Sequence, residues 1–210
     1  MGEEPLNISD CVIVAAGASS RMAGAWKPLL PFGASTIIQT TVGTALSAGL
    51  RVVLVVGFRG VELARLFAHE KEVIIAPNPH WERGLLGSVL CGMEQARGTA
   101  VFTMNADKPL VSPEAYRLVA AEYESRAKAG IVPVPLFASY QGKAGHPVLI
   151  PREIALQAAS LPPDARMRDH LKKYEPAFVE CGDEAVLLDI DTYEEYERLC
   201  VLGKRSIQGL

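Results

Sequence analysis

The sequence predicts an α/β fold, three layers deep (α/β/α), around a mostly parallel sheet. Short continuous apolar runs recur along the chain, as expected of strands covered on both faces. Stretches with helical spacing separate them, which is the βαβ order of a parallel sheet. With 210 residues, 49% of them apolar, the chain is long enough to bury one core.

The elements follow in chain order. Residues 11–15 form the first apolar run, ended by Gly17. Residues 36–48 have Ile37, Ile38, Thr41, Val42 and Ala45 on one helical side. A second run at 52–56 precedes a short helix at 61–67, which presents Leu63, Leu66 and Phe67. Runs at 73–76 and 100–104 flank a helix at 88–96. The helix at 113–127 has a clear start in Ser112-Pro113-Glu114: a hydroxyl cap, proline at the first position and an acid in the first turn. Further runs at 131–134 and 186–190 read as strands, and residues 153–159, 166–173 and 193–202 as helices. Asp191 and Thr192, followed by Glu194 and Glu195, start the last helix. The segment 133–151 holds Pro133, Pro135, Gly142, Gly145, Pro147 and Pro151, which fits a β-excursion or a lid better than a helix. No repeat or linker divides the chain, so residues 1–210 read as a single domain.

The formal charge of −3 argues against a nucleic-acid partner that needs a broad basic surface. No apolar run reaches the length of a membrane span. Residues 1–10 carry Glu3, Glu4 and Asp10 with no basic stretch, unlike an export signal, so the expected compartment is cytoplasmic. Cys11, Cys91, Cys181 and Cys200 have the spacing of neither a zinc site nor a redox pair, and read as small buried residues.

In open parallel sheets ligands sit beyond the carboxyl ends of the strands. After the first run comes Ala15-Ala16-Gly17-Ala18-Ser19-Ser20-Arg21-Met22, followed by Lys27-Pro28-Leu29-Leu30-Pro31. Small residues let the backbone approach phosphate oxygens, and Arg21 and Lys27 add fixed charge. Neither GxGxxG nor GxxxxGK[ST] is present, so a Gly/Ser-rich turn with two solvated cations stays open as the other reading. After the run at 100–104 comes Asn105-Ala106-Asp107-Lys108-Pro109. Asp107 suits Mg²⁺, which takes one or two carboxylates together with substrate phosphates, or it is a turn aspartate. Asp189-Ile190-Asp191-Thr192 places two carboxylates at alternate positions of the last run, on one face if that run is a strand. Asp191 also reads as the cap of the following helix.

Taken together, these pieces resemble the nucleotidyltransferases of the molybdenum-cofactor type, the MobA-like and MocA-like proteins. The resemblance extends from about Val12 to about Leu199. It is carried by the first loop with Lys27, by Asn78, Trp81, Gly84 and Ser88, by Asp107 with Pro109-Leu110-Val111, by Gly145-His146-Pro147-Val148, and by Asp189-Ile190-Asp191-Thr192. It implies the Rossmann-like, nucleotide-diphospho-sugar transferase type of sheet, with 133–151 on the acceptor side. It implies that Ala15, Ala16, Gly17, Ala18, Ser19 and Ser20 hold a triphosphate, with Asn78 and Ser88 lining the base and sugar pocket. Arg21, Lys27 and Asp107 are the implied catalytic residues, Asp107 and Asp191 the implied ligands of Mg²⁺ or Mn²⁺ (Asp189 next), and His146 lies near the acceptor. The implied reaction moves a nucleoside monophosphate from a nucleoside triphosphate to a phosphorylated acceptor, with release of pyrophosphate. Ala15-Ala16-Gly17 favours CTP over GTP, and molybdopterin is the implied acceptor. Transient contact with a molybdoenzyme or its chaperone is a further implication.

Three departures bear on the acceptor. The family's Gly-Asp-Met-Pro type motif is here Ala106-Asp107-Lys108-Pro109, Trp26 stands in a first loop one residue longer, and the family's Gly-Asp-x-Gly-x-Arg segment is reduced to Pro163-Asp164-Ala165-Arg166. A cytidylyl- or uridylyltransferase acting on a sugar or polyol phosphate is the alternative enzyme. A non-catalytic cofactor-handling protein is the alternative from another class.

Overall fold

In the computed structural model, which describes residues 8–22, 24–162 and 164–208, alternation along one strand sets up the layers. Strand β1 (Asp10–Ala15) turns Cys11, Ile13 and Ala15 to one face and Val12 to the other, and each joins a separate apolar cluster. The ribbon β2 (Pro31–Phe32) and β3 (Ser35–Thr36) leads into α1 (Ile37–Ser47), which the Thr36 side chain caps by accepting from the Gln39 amide. β4 (Arg51–Val56), α2 (Gly60–Leu66), β5 (Val73–Pro77), α3 (Leu85–Gln95) and β6 (Ala100–Asn105) continue the alternation. α4 (Pro113–Lys128), β7 (Leu136–Tyr140), β8 (Lys143–Pro151), α5 (Arg152–Gln157), α6 (Met167–Leu171), β9 (Ala177–Glu180) and α7 (Tyr193–Gln208) complete it.

The sheet order is β5-β4-β1-β6-β8-β7-β9. β5, β4, β1 and β6 run parallel, β8 lies antiparallel between β6 and β7, and β9 pairs parallel with β7. Residues of α1 and α4 pack on one face (Ile38, Val42, Tyr116, Val119), and residues of α3 and α5 on the other (Val89, Met93, Ile154). The irregular segment 133–151 is mostly hairpin: its long arm, β8, pairs with β6 inside the main sheet.

Two expected strands are not strands. Residues 131–134 join no ladder among the described residues, and Ile131 and Val132 are exposed. Pro133 and Pro135 cannot donate to a ladder, so pairing begins only at Leu136. Residues 186–190 start in a 3-10 turn, Glu184–Val186, which the Asp183 carboxylate caps by accepting from the Ala185 amide. The apolar character of that run reflects burial of Val186 and Ile190, not a ladder. The acidic opening, up to residue 7, and Pro163 lie outside the described residues. No helix among the described residues is long and apolar enough to cross a membrane.

An ion pair anchors the far end of β1. The Asp10 carboxylate, fully buried, accepts hydrogen bonds from the Arg51 guanidinium and, at 2.7 Å, from the Arg97 amide. Burial raises its pKa, but those hydrogen bonds outweigh burial and hold it below the usual carboxylate range. Since the folded value lies below the unfolded one, this stabilisation is complete above the unfolded pKa of about 3.9 and is lost as pH falls through the folded value. Asp10→Asn should therefore cost roughly 3 kcal/mol at neutral pH. The gap to the native protein should narrow in urea unfolding below about pH 4.

Candidate functional site

Three chain segments converge at the carboxyl ends of β1 and β6. The first is the small-residue turn after β1. Ser19 adopts a left-handed conformation (φ 55°), its carbonyl accepts from the Met22 amide at 3.0 Å, and its hydroxyl accepts from the Lys27 amide at 3.3 Å. Aromatic rings brace the turn from below. The buried Trp26 donates its indole N–H to the Gly17 carbonyl at 3.3 Å, and Phe58 stands edge-on between Trp26 and Trp81. The Phe58 amide donates to the Ala16 carbonyl at 3.0 Å, and the Arg59 guanidinium lies 4.5 Å above the Trp26 ring centroid. A Cβ on Gly57 would come within 2.5 Å of Trp81 and 2.8 Å of the Ala16 carbonyl, so glycine is needed for this close approach. This brace was not read from the sequence; its signal was Gly57-Phe58 directly after an apolar run, with tryptophans at 26 and 81.

The second segment is the end of β6. Asp107 sits where the turn residues can reach it, and its Oδ2 is 2.9 Å from the Lys27 ammonium. The third is Leu188–Thr192, which crosses the end of β6: the Ile190 amide donates to the Asp107 carbonyl at 3.0 Å. Because this segment is not a strand, its two carboxylates diverge. Asp191 Oδ1 lies 3.4 Å from the Lys27 ammonium, and the Arg21 guanidinium grips Asp191 with two hydrogen bonds of 2.7 and 2.9 Å. Asp189 turns instead to Lys108, at 3.5 Å. Burial raises the Asp191 pKa, but the Arg21 hydrogen bonds and the Lys27 charge outweigh it and hold the carboxyl below its ordinary range.

Asp191 is free to face Asp107 because it is not the helix cap. Thr192 and Glu195 form a capping box: the Glu195 amide donates to the Thr192 hydroxyl at 3.2 Å, and Glu195 accepts from the Thr192 and Asp191 amides, each at 2.8 Å. Glu195→Ala should cost about 1 kcal/mol in urea unfolding. Glu195→Gln, which keeps an acceptor oxygen for the Asp191 and Thr192 amides, should cost less.

Lys108, beside Asp107 in sequence, points away from it. Its buried ammonium donates to the Leu188 carbonyl at 3.2 Å and tethers the crossing segment.

In this set of ion pairs the charges balance, Lys27 and Arg21 against Asp107 and Asp191. Asp107 Oδ1 is buried with no hydrogen-bond partner among the described residues. An unpartnered carboxylate oxygen, beside a second carboxylate that shares the same cation, is the donor set of a hard divalent ion. No cluster of three or more His, Cys, Asp or Glu that could hold a metal occurs among the described residues, so such an ion would complete its shell from substrate oxygens and water.

Two adjoining cavities open here. The polar one, about 450 Å³, is lined by Ala15, by Gly17 through Met22, and by Lys27, Asp107, Asp189 and Asp191. Ala16 is buried behind it. The larger, about 620 Å³, is mostly apolar and has His146 in its wall. Burial, and then the charges of Lys108 and Arg168, push the His146 pKa down to about 3, so this imidazole is neutral at physiological pH. The peptide bond before Pro147 is cis. Gly145 is a glycine by necessity, since a Cβ there would lie 2.2 Å from the Val186 carbonyl. Asn78 and Ser88 line neither cavity: both are buried, Asn78 donates to the Ser88 hydroxyl at 3.0 Å, and its side-chain oxygen accepts from the His80 amide. They fix the connection from β5 to α3.

Comparison with known proteins identifies the family and the fold. The chain is 33% identical over 187 residues to the molybdenum cofactor cytidylyltransferase of Escherichia coli K12, covering 89% of this chain and 93% of that protein. It is 27% identical to the nicotine blue oxidoreductase of Paenarthrobacter nicotinovorans, over 95% of this chain and 100% of that one. Its fold matches a nucleotidyl transferase from Methanothermobacter thermautotroptrophicus with a TM-score of 0.81 at 24% identity, covering 95% of this chain and 98% of that one. The family model for the MobA-like NTP transferase domain matches residues 11–177, and the chain belongs to that family.

Proposed function

We propose that this nucleotidyltransferase moves CMP from CTP to the molybdenum cofactor and releases pyrophosphate. The observation that carries the reading is the Lys27 ammonium held between Asp107 and Asp191 at the mouth of the small-residue turn. The named activity of the E. coli relative supports the choice of nucleotide and acceptor.

Donor and acceptor are both anionic, so the site's task is to neutralise and align them. A divalent cation on Asp107 and Asp191, Mg²⁺ or Mn²⁺, supplies the positive charge that two phosphates brought together require. Lys27 and Arg21, which hold those carboxylates, carry the positive charge that the triphosphate would meet at the mouth of the turn. The N–H groups of the turn accommodate phosphate oxygens, and the aromatic brace keeps them oriented before substrate arrives. An acceptor phosphate is ionised near neutrality, so no protein base is needed, and His146, held neutral, acts as a hydrogen-bonding wall.

The test is incubation with Mn²⁺ or Mg²⁺ and each of CTP, GTP, UTP and ATP, with and without molybdenum cofactor. Pyrophosphate release and the mass of the adduct are read. A cytidylated cofactor is the expected product. Turnover only with a sugar or polyol phosphate would replace the acceptor, and absence of nucleotide binding would defeat the reading. Because one relative bears the name of an oxidoreductase, an NADPH-oxidation arm belongs in the same assay.

A further inference from the structure

The larger cavity contains more positive charge than the transfer step uses. Leu86, Val89, Met104, Phe137, Val148 and Ile150 give it an apolar lining. At its edge stand three exposed arginines from two separate segments: Arg83 before α3, and Arg166 and Arg168 at the start of α6. Asp164 is the one carboxylate in the lining. Among the described residues, none of the three guanidiniums has a carboxylate within ion-pair distance, whereas Lys27, Arg21, Arg51 and Lys108 all do.

The reacting phosphate is not what these arginines serve. It must reach Lys27, Asp107 and Asp191, which line the polar cavity and not this one, and the two cavities share only Val14, Leu85 and Asn105. Three unpaired guanidiniums beside an apolar lining suit an anion attached to an apolar body. The planar forks bind oxyanions in pairs of hydrogen bonds, and the nearby low-dielectric surface strengthens the attraction. The body contributes through apolar burial, for which a cavity of this size is adequate.

We propose that the larger cavity selects acceptors that carry a second anionic group, besides the reacting phosphate, on a body with an apolar face. Arg83, Arg166 and Arg168 read that second group and determine specificity. The proposal rests on the nucleotidyl-transfer reading for its account of the reacting phosphate.

Two fluorescent probes of nearly the same shape test it: 8-anilinonaphthalene-1-sulfonate, and uncharged N-phenyl-1-naphthylamine. The native protein should bind the sulfonate at one saturable site, about tenfold more tightly than the neutral probe, the effect of one charge-assisted contact. In the double variant Arg83→Leu/Arg168→Leu the preference should vanish, while the neutral probe's affinity stays within about twofold. Equal affinities in the native protein, or a preference that survives in the double variant, would overturn the assignment. Titration of the same proteins with CTP and Mn²⁺ keeps the two readings apart. Retained nucleotide binding in a double variant without anion preference supports a separate acceptor-side role. Failure of the native protein to bind CTP would remove the transfer reading, and the probe contrast would still decide what the cavity prefers.

Discussion

Asp107→Ala is expected to lower metal-dependent transfer by roughly a hundredfold to a thousandfold, the range found when one group stabilising transition-state charge is removed. The fold should survive. Among the described residues the Asp107 side chain bonds only to Lys27, through Oδ2, and its Oδ1 has no partner, so little structure depends on it. What the crossing segment needs from this residue is the backbone carbonyl, which accepts from Ile190 and is kept in the variant. Lys27 also keeps a carboxylate neighbour in Asp191. Turnover at saturating CTP, with circular dichroism and a melting curve as controls, checks the expectation. Asp107→Asn should be nearly as slow, since it keeps the shape and loses the charge. Wild-type rates in either variant would remove Asp107 from the site.

The layered fold was legible because its cause is local. Runs such as Val52-Val53-Leu54-Val55-Val56 are apolar on both faces only because helices cover both faces, and the sequence displays that directly. Where apolar character had another cause, the reading failed. Residues 186–190 are apolar because Val186 and Ile190 fill two different clusters, and no short-range signal separates that from a strand. Residues 131–134 have the apolar character of a strand, but Pro133 and Pro135 deny them a ladder, and β7 begins at Leu136. Asp107, Lys27 and Arg21 could be singled out as residue types in the right turns, and the family resemblance implied a shared site, but the contact that unites them was not legible from spacing. It depends on the last segment crossing β6, which Lys108 and the Ile190 amide fix over a separation of some eighty residues. The family pattern also led to Asn78 and Ser88 as pocket residues. In this chain their polar atoms are spent on each other and on His80.

Lys27→Met tests whether the lysine has two duties. Its ammonium is the shared counter-ion of Asp107 and Asp191. Removing it leaves two carboxylates facing each other with Arg21 on one of them only. The variant should melt at a lower temperature than the native protein in the absence of metal, because like charges in a partly buried site are unfavourable. With CTP and metal the lysine's second duty is lost, and kcat/KM should fall by roughly a hundredfold or more, since phosphate charge is present in both ground and transition states. The two duties separate on addition of Mn²⁺ alone. A divalent cation replaces the missing charge between the carboxylates, so Mn²⁺ should raise the melting temperature of Lys27→Met more than that of the native protein, without restoring the rate. Equal stabilisation of both proteins would mean that Lys27 and the cation do not share those carboxylate oxygens, and the assignment of Asp107 and Asp191 as a joint metal site would fail with it.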